Sequence, residues 1–212
     1  MPEILKVDAN IPEETVLSRA AEILAEGGII AYPTETFYGL GADATNEKAI
    51  QKIYDLKGRN FNNPISVIID EEENIYPLVG EVTTEAFKLM QAFWPGPLTI
   101  VFKASAIILP ILTAQTGKIG VRISSHAGAK LIAQKLGHPL TATSANLSGA
   151  PECSTAAEVA AQIGDKIDAI VDLGKTAGGR GSTIIDVTSD PPQILREGVI
   201  SRISIQNHIV IK

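Results

Sequence analysis

The alternation of apolar and polar positions divides the chain into helical and extended stretches. Residues 12 to 26 open with Pro12 at a first-turn position, carry Val16, Leu17, Ala20, Ile23 and Leu24 on one face, and stop at Gly27-Gly28. That pattern predicts an amphipathic helix. Ile29 to Tyr32 then reads as a buried strand, Glu47 to Leu56 as a helix with Ile50, Ile53 and Tyr54 inward, and Ile65 to Ile69 as a second strand. The same periodicities predict a helix over 83–93 and, after the Trp94-Pro95-Gly96-Pro97 turn, strands at Leu98–Phe102 and Ile119–Ile123. A helix follows over 127–136, a strand over 139–143 and a helix from about 155 to 163. The remainder reads as extended at 168–172, at 183–187 and from 199 to 211. Such a mixture predicts an α/β layer structure with a mixed sheet. No internal repeat, low-complexity tract or long linker divides the chain, so one domain over residues 1–212 is expected.

Composition narrows the class. With 212 residues, 45% of them hydrophobic and 20% charged, the chain can bury a sizeable core. Its single cysteine, Cys153, has no partner for an internal disulfide, and His126, His138 and His208 lack metal-ligand spacing. No metal site of the protein's own is expected. The N-terminus has no basic region leading into an apolar core, and the most apolar stretch, Ala104 to Leu112, is short and broken by Pro110. A cytoplasmic location away from membranes is the expectation. The net charge of −6 and a pI near 5.1 argue against a protein that coats nucleic acid non-specifically, while leaving room for a local basic groove.

Two motif-like strings fail on context. Gly39-Leu-Gly41-Ala-Asp-Ala44 matches a relaxed dinucleotide fingerprint, but the polar run Thr34-Glu35-Thr36 separates it from the preceding strand. Gly174-Lys175-Thr176 resembles the end of a P-loop, yet Ala169 stands where its first glycine belongs and more glycine follows in place of a helix. Gly178-Gly-Arg-Gly-Ser182 fits a flexible turn or lid, and also a backbone approach to phosphate with Arg180 in reach.

Other segments carry more. Pro33-Thr-Glu-Thr-Phe-Tyr-Gly-Leu-Gly41 directly follows a strand, where an open α/β sheet binds ligands; the segment equally fits a β-edge with Thr34 and Thr36 satisfying turn backbone. Lys57-Gly58-Arg59 places two cations two residues apart on an acidic protein, as an anion site would, and as a helix C-terminus with a left-handed glycine stop would. Thr143-Ser-Ala-Asn-Leu-Ser-Gly149 concentrates small hydrogen-bonding groups after a strand, suited to close ligand approach or to a plain turn. Ser154 precedes Thr155-Ala-Ala-Glu158, a capping-box pattern at a helix N-terminus that also attracts phosphate.

Together, PTETFYGLGADAT, KGR with Asn63-Pro64 after it, TSANLSG, Ser182-Thr-Ile-Ile-Asp186 and Arg196-Glu-Gly198 resemble, in order and spacing, the threonylcarbamoyl-AMP synthase family, also called YrdC-like or TsaC-like. The likeness spans roughly residues 12 to 205 and corresponds to the single-domain form. It implies a twisted open α/β sheet with flanking helices around a large basic cavity. The implied activity joins L-threonine, bicarbonate and ATP into threonylcarbamoyl-adenylate and pyrophosphate. That step begins the threonylcarbamoyl modification of adenosine beside the anticodon of tRNA, which downstream transfer proteins complete. Carried over by motif, Lys57, Arg59 and Asn63 would hold the ATP phosphates, helped by Asn146, Ser154 and Arg196, with Lys57 and Arg59 the catalytic cations. Thr36, Arg122, Ser144 and Ser182 would form the threonine pocket. The substrate supplies the nucleophile, so the protein's task is position and charge, with Mg2+ arriving on the nucleotide and not in a dedicated protein site.

The chain departs from the family pattern at three places. Arg122 leads into Ile123-Ser124-Ser125 where valine or methionine and then proline are common; Ile68 replaces a polar residue, often histidine; and Lys118 replaces a smaller polar one. Two alternatives to the synthase follow: a module that binds double-stranded RNA or tRNA, with which the fold is also associated, and a paralogue acting on another carbamoyl or acyl adenylate.

Overall fold

The computed structural model describes residues 1–7, 13–58 and 63–212. The strands are β1 (Glu3–Lys6), β2 (Ile30–Pro33), β3 (Tyr38–Gly41), β4 (Ser66–Ile68), β5 (Leu98–Lys103), β6 (Lys118–Arg122), β7 (Leu140–Ser144), β8 (Ala169–Asp172), β9 (Thr183–Asp186) and β10 (Gln193–Arg196). The helices are α1 (Glu13–Ala25), α2 (Glu47–Lys57), α3 (Thr84–Phe93), α4 (Ala127–Leu136), α5 (Ala156–Ile163) and α6 (Arg202–Gln206). The strands join in one mixed sheet in the order β1-β8-β2-β3-β7-β4-β6-β5-β9-β10. β8 is parallel to β1 and β2, β4 to β6, and β5 to β9. The remaining neighbours run antiparallel.

Apolar residues on both faces of the central strands follow from helices packing on both sides. Along β2, Ile30 and Tyr32 point into the core beneath α1 and α4, while Ala31 faces the larger core built with α2, α3 and α5. Along and just beyond β4, Val67 and Ile69 share the larger core and Ile68 the smaller one. The α1 positions Val16, Leu17, Ala20, Ile23 and Leu24 are buried as the helical spacing predicts. Fully buried leucines such as Leu17 and Leu24 each contribute about 1.5–3 kcal/mol.

Helix ends obey local chemistry. Asn46 caps α2 by accepting from the Ala49 N–H, and Gly58 ends it at φ 55°, ψ 32°, the left-handed geometry that glycine adopts without strain. Thr83 caps α3. Thr155 and Glu158 form the reciprocal capping box that opens α5.

Three short strands escape the sequence pattern. β1 and β10 are mostly exposed edge strands, and β3 lies inside the glycine-containing string from Pro33 to Gly41. Its glycines suit packing: a Cβ at Gly41 would stand 2.8 Å from Tyr32 Cε1 and 2.9 Å from Leu140 Cδ1. The stretch 199–211, expected to be extended, instead contains α6, capped by Ser201 and anchored through buried Ile205. The alternation Ile203-Ser204-Ile205 mimics a strand there; Ile205 is buried while Ile203 is 72% exposed.

Two of the unusual residues have structural partners. Ile68 is fully buried in the smaller core. Lys118 reaches Asp186 Oδ2 at 2.8 Å, fastening β6 to β9 across the intervening β5. Burial alone would raise the Asp186 carboxyl, but hydrogen bonds from Lys118 and Thr188 outweigh it and hold the group below its ordinary value. A lowered folded value means stabilisation that is complete above the unfolded pKa of about 3.9 and is lost as pH falls through the folded one. With Lys118 42% exposed, solvent screening limits the effect to about 1 kcal/mol or less. Asp186→Asn should therefore lower the urea midpoint at pH 7, and the two midpoints should draw together as pH falls below about 4. A gap that stays constant across that range would contradict the assignment.

Candidate active site

The polar run after β2 is a tight reversal into β3. Thr34 Oγ1 accepts from the Thr36 N–H at 3.2 Å and donates to the Phe37 carbonyl at 2.7 Å. Thr34 and Thr36 thus stabilise the turn, and both also line a cleft.

Lys57 is the last residue of α2 and is only 5% exposed. Its ammonium donates to the Ser144 carbonyl at 2.5 Å, and to the Asn146 carbonyl and Oδ1 at 3.1 Å each. Ser144 Oγ donates to Asn146 Oδ1 at 2.7 Å, and Asn146 Nδ2 to the Ala150 carbonyl at 2.6 Å. A buried ammonium is tolerable only when such oxygens replace its water. Lys57 thus stands at a helix end and also lines a cleft, because the helix end delivers the charge into the loop after β7.

Arg122, at the end of β6, is 6% exposed and forms an ion pair with Glu35, Nη1 to Oε1, at 2.6 Å. Ser124 Oγ donates to the other Glu35 oxygen and accepts from the His126 N–H at 3.2 Å. Glu35 was not singled out from the sequence. Its signal was present in retrospect: a carboxylate placed between two threonines immediately beyond a buried strand.

Ser182 precedes β9, and Arg196 ends β10. The Arg196 guanidinium donates to the Ser182 carbonyl from Nε at 3.1 Å and from Nη2 at 2.8 Å, and reaches its hydroxyl at 3.1 Å. Thr99 Oγ1 lies 3.2 Å from Ser182 Oγ. Gly198 makes this arrangement possible, since a Cβ there would fall 2.1 Å from the Gly181 carbonyl oxygen and 2.6 Å from the Ser182 carbonyl carbon. The glycine-rich segment before Ser182 is tied down at its start: Tyr38 Oη donates to the Gly174 carbonyl and the Gly178 N–H to the Thr36 carbonyl, both at 2.8 Å.

These residues line two adjoining clefts. The first, about 150 Å³, is lined by Thr34, Thr36, Arg122, Ser144, Ser182 and Arg196 together with Tyr32, Ser66 and Thr99. The second, about 390 Å³, is lined by Lys57, Asn63, Thr143, Ser144, Asn146 and Ser148. Thr143 and Ser144 belong to both. Arg196, expected with the nucleotide group, stands in the first cleft beside Ser182. Ser154 lines neither; its N–H and hydroxyl donate to Glu158 Oε2 at 2.6 and 3.1 Å, and its carbonyl accepts from Thr176. Arg59 lies outside the described residues. Tyr32, Ser66 and Thr99 join the first cleft without having been singled out, since residues within apolar strands carry no motif, and Glu152 joins it from the loop before α5.

Burial shapes the chemistry nearby. It pushes the Tyr32 hydroxyl above its ordinary value, and its proton goes to the Thr141 carbonyl at 2.9 Å. Burial, with the charge of Glu158, pushes the Cys153 thiol up to about 11 against the opposing charge of Lys57, which leaves it a poor nucleophile. Among the described residues, no group of three or more His, Cys, Asp and Glu side chains is placed to hold a metal ion. Among them also, no helix is long and apolar enough to cross a membrane.

A mixed open sheet with an arginine cleft and a lysine cleft meeting beside one strand end defines the class: an α/β protein with a two-part polar site. The chain belongs to the Sua5/YciO/YrdC family, whose model, described as telomere recombination, matches residues 22–198. It is 40% identical to threonylcarbamoyl-AMP synthase of Pyrococcus abyssi over 93% of this chain and 58% of that protein. It is also 40% identical to threonylcarbamoyl-AMP synthase of Vibrio parahaemolyticus over 82% of this chain and 95% of that one. The crystal structure of P. abyssi Sua5 complexed with L-threonine superposes with a TM-score of 0.93 at 36% identity, covering 100% of this chain and 62% of that one. The chain thus spans less than two thirds of the P. abyssi protein it matches.

Gly198→Ala should force the Gly181–Ser182 backbone away from Arg196. The expected result is destabilisation of about 2 kcal/mol or more, seen as a lower thermal midpoint. An unchanged midpoint would show that the close approach at Gly198 does not constrain the site.

Proposed function

We propose that this chain is an L-threonylcarbamoyladenylate synthase, a nucleotidyltransferase that condenses L-threonine, bicarbonate and ATP into threonylcarbamoyl-AMP and pyrophosphate. One observation carries the reading: Ser144 belongs both to the cleft of Arg122 and to the cleft of Lys57, so two polar ligands can meet there. Its family membership and its likeness to named synthases support the same choice.

In this mechanism the Arg122 guanidinium takes the threonine carboxylate, with Thr36, Ser144 and Ser182 offering hydroxyls to the rest of the amino acid. The amine combines with bicarbonate to give a carbamate and water. The carbamate oxygen attacks the α-phosphorus held in the neighbouring cleft, and pyrophosphate leaves. No protein nucleophile is required, so holding the two reactants together is the larger part of catalysis. Asn63, Asn146 and Arg59 contact the phosphates. Lys57 acts by its charge and by fixing the loop from Ser144 to Asn146, while Arg196 holds Ser182. Mg2+, held by phosphate oxygens and water, would neutralise part of the triphosphate charge. The product would pass to tRNA threonylcarbamoyl-transfer proteins.

Pyrophosphate release from ATP plus bicarbonate, with and without L-threonine, tests the assignment. Release should depend on threonine, and both Arg59→Ala and Lys57→Met should lower it by about 100-fold or more. Lys57→Met keeps the buried stem but removes the hydrogen bonds to Ser144 and Asn146, so a thermal melt must accompany it. Near-normal turnover in either variant would contradict the roles given to these cations. Release independent of threonine would favour a paralogue acting on another adenylate, and salt-sensitive RNA binding without release would favour an RNA-binding module.

A further inference from the structure

Arg122 has one side-chain hydrogen bond among the described residues, from Nη1 to Glu35. The buried side-chain polar atoms without a partner, again among the described residues, are His126 Nδ1 and Gln162 Oε1. Nε and Nη2 of Arg122 have no side-chain partner among the described residues and are not sealed from solvent, and Arg122 lines the first cleft. Glu35, which holds Nη1, is not among the residues that line that cleft. It is itself braced, since its second oxygen takes the Ser124 hydroxyl, which accepts in turn from the His126 N–H at the start of α4. Ser124 is 1% exposed and occupies the position where the family pattern commonly has proline.

We infer that Glu35, braced by Ser124, is a positioning residue that fixes the Arg122 fork for the carboxylate of the amino-acid substrate; this inference rests on the proposed function. A guanidinium recognises a carboxylate through paired, parallel N–H groups, so its rotation matters as much as its charge. With one corner tied to Glu35, the plane is set before substrate arrives and the remaining N–H groups are left for it. Removing Glu35 adds net positive charge but frees the fork to swivel. A neutral acceptor of the same shape separates these effects, because glutamine can still accept from Nη1 and donate to Ser124.

Steady-state kinetics of pyrophosphate release, varying threonine and ATP separately, provide the test. Glu35→Ala should raise the threonine KM by about tenfold or more and leave the ATP KM within about twofold. Glu35→Gln should stay within about threefold of wild type for both substrates, and Ser124→Ala should raise the threonine KM about threefold. A loss of folded protein alone would lower the rate without moving either KM. Three results would overturn the inference: an unchanged threonine KM in Glu35→Ala, an equal rise in the ATP KM, or a glutamine variant as impaired as the alanine one. If Glu35→Ala does not fold, Ser124→Ala decides, and an unchanged threonine KM in that variant counts against the brace. A wild-type protein whose release ignores threonine would remove the substrate assignment and this inference together. A threonine-dependent wild type with unaltered Glu35 variants would remove only the inference.

Discussion

The buried ammonium of Lys57 ties the end of helix α2 to the loop that leaves strand β7. Three oxygens of Ser144 and Asn146 converge on it within 3.1 Å, and these two residues line the clefts that meet beside it. Without that charge, the carbonyls of Ser144 and Asn146 would turn toward water or one another, and the wall between the clefts would lose its shape. Burying an ammonium costs free energy unless it is fully hydrogen-bonded, so the contact is either complete or strongly unfavourable. That all-or-none quality suits a wall whose position must be reproducible. Around it the fold supplies rigid supports: Asn46 and Gly58 fix both ends of α2, and β7 is held by β3 on one side and β4 on the other.

Charge is distributed differently in the two clefts. In the first, Arg122 is half-neutralised by Glu35 and Arg196 is turned to the backbone of Ser182, so hydroxyls make up much of the remaining polar lining. Such a surface orients a small zwitterion without overwhelming it. The second has Lys57 beside amide and hydroxyl groups, a setting in which a polyphosphate finds both charge and directional donors.

Much of this was legible in the sequence, for identifiable reasons. Elements with long, regular periodicity, such as α1 and α4, stand where the spacing placed them, because a single apolar face decides their packing. The loop groups near Pro33–Gly41, Lys57 and Thr143–Asn146 were legible as clusters of unusual composition, but their convergence depends on the sheet order, which places β7 between β3 and β4. No local pattern encodes that. Edge strands β1 and β10 were missed because four residues with only two apolar positions carry little signal, and α6 because its isoleucines alternate like those of a strand. Glu35 was overlooked for a different reason. A carboxylate contributes to a cation site only as a counter-charge, and its partner is 87 residues away.

The structure of the protein with L-threonine and a non-hydrolysable ATP analogue bound together is the most direct measurement. The threonine carboxylate should lie on Arg122, the phosphates against Asn63 and Asn146, and the amine should face the α-phosphorus across Ser144 with room for one carbamate. Ligands bound in other places, or separated so that Ser144 touches only one of them, would contradict a single two-part site.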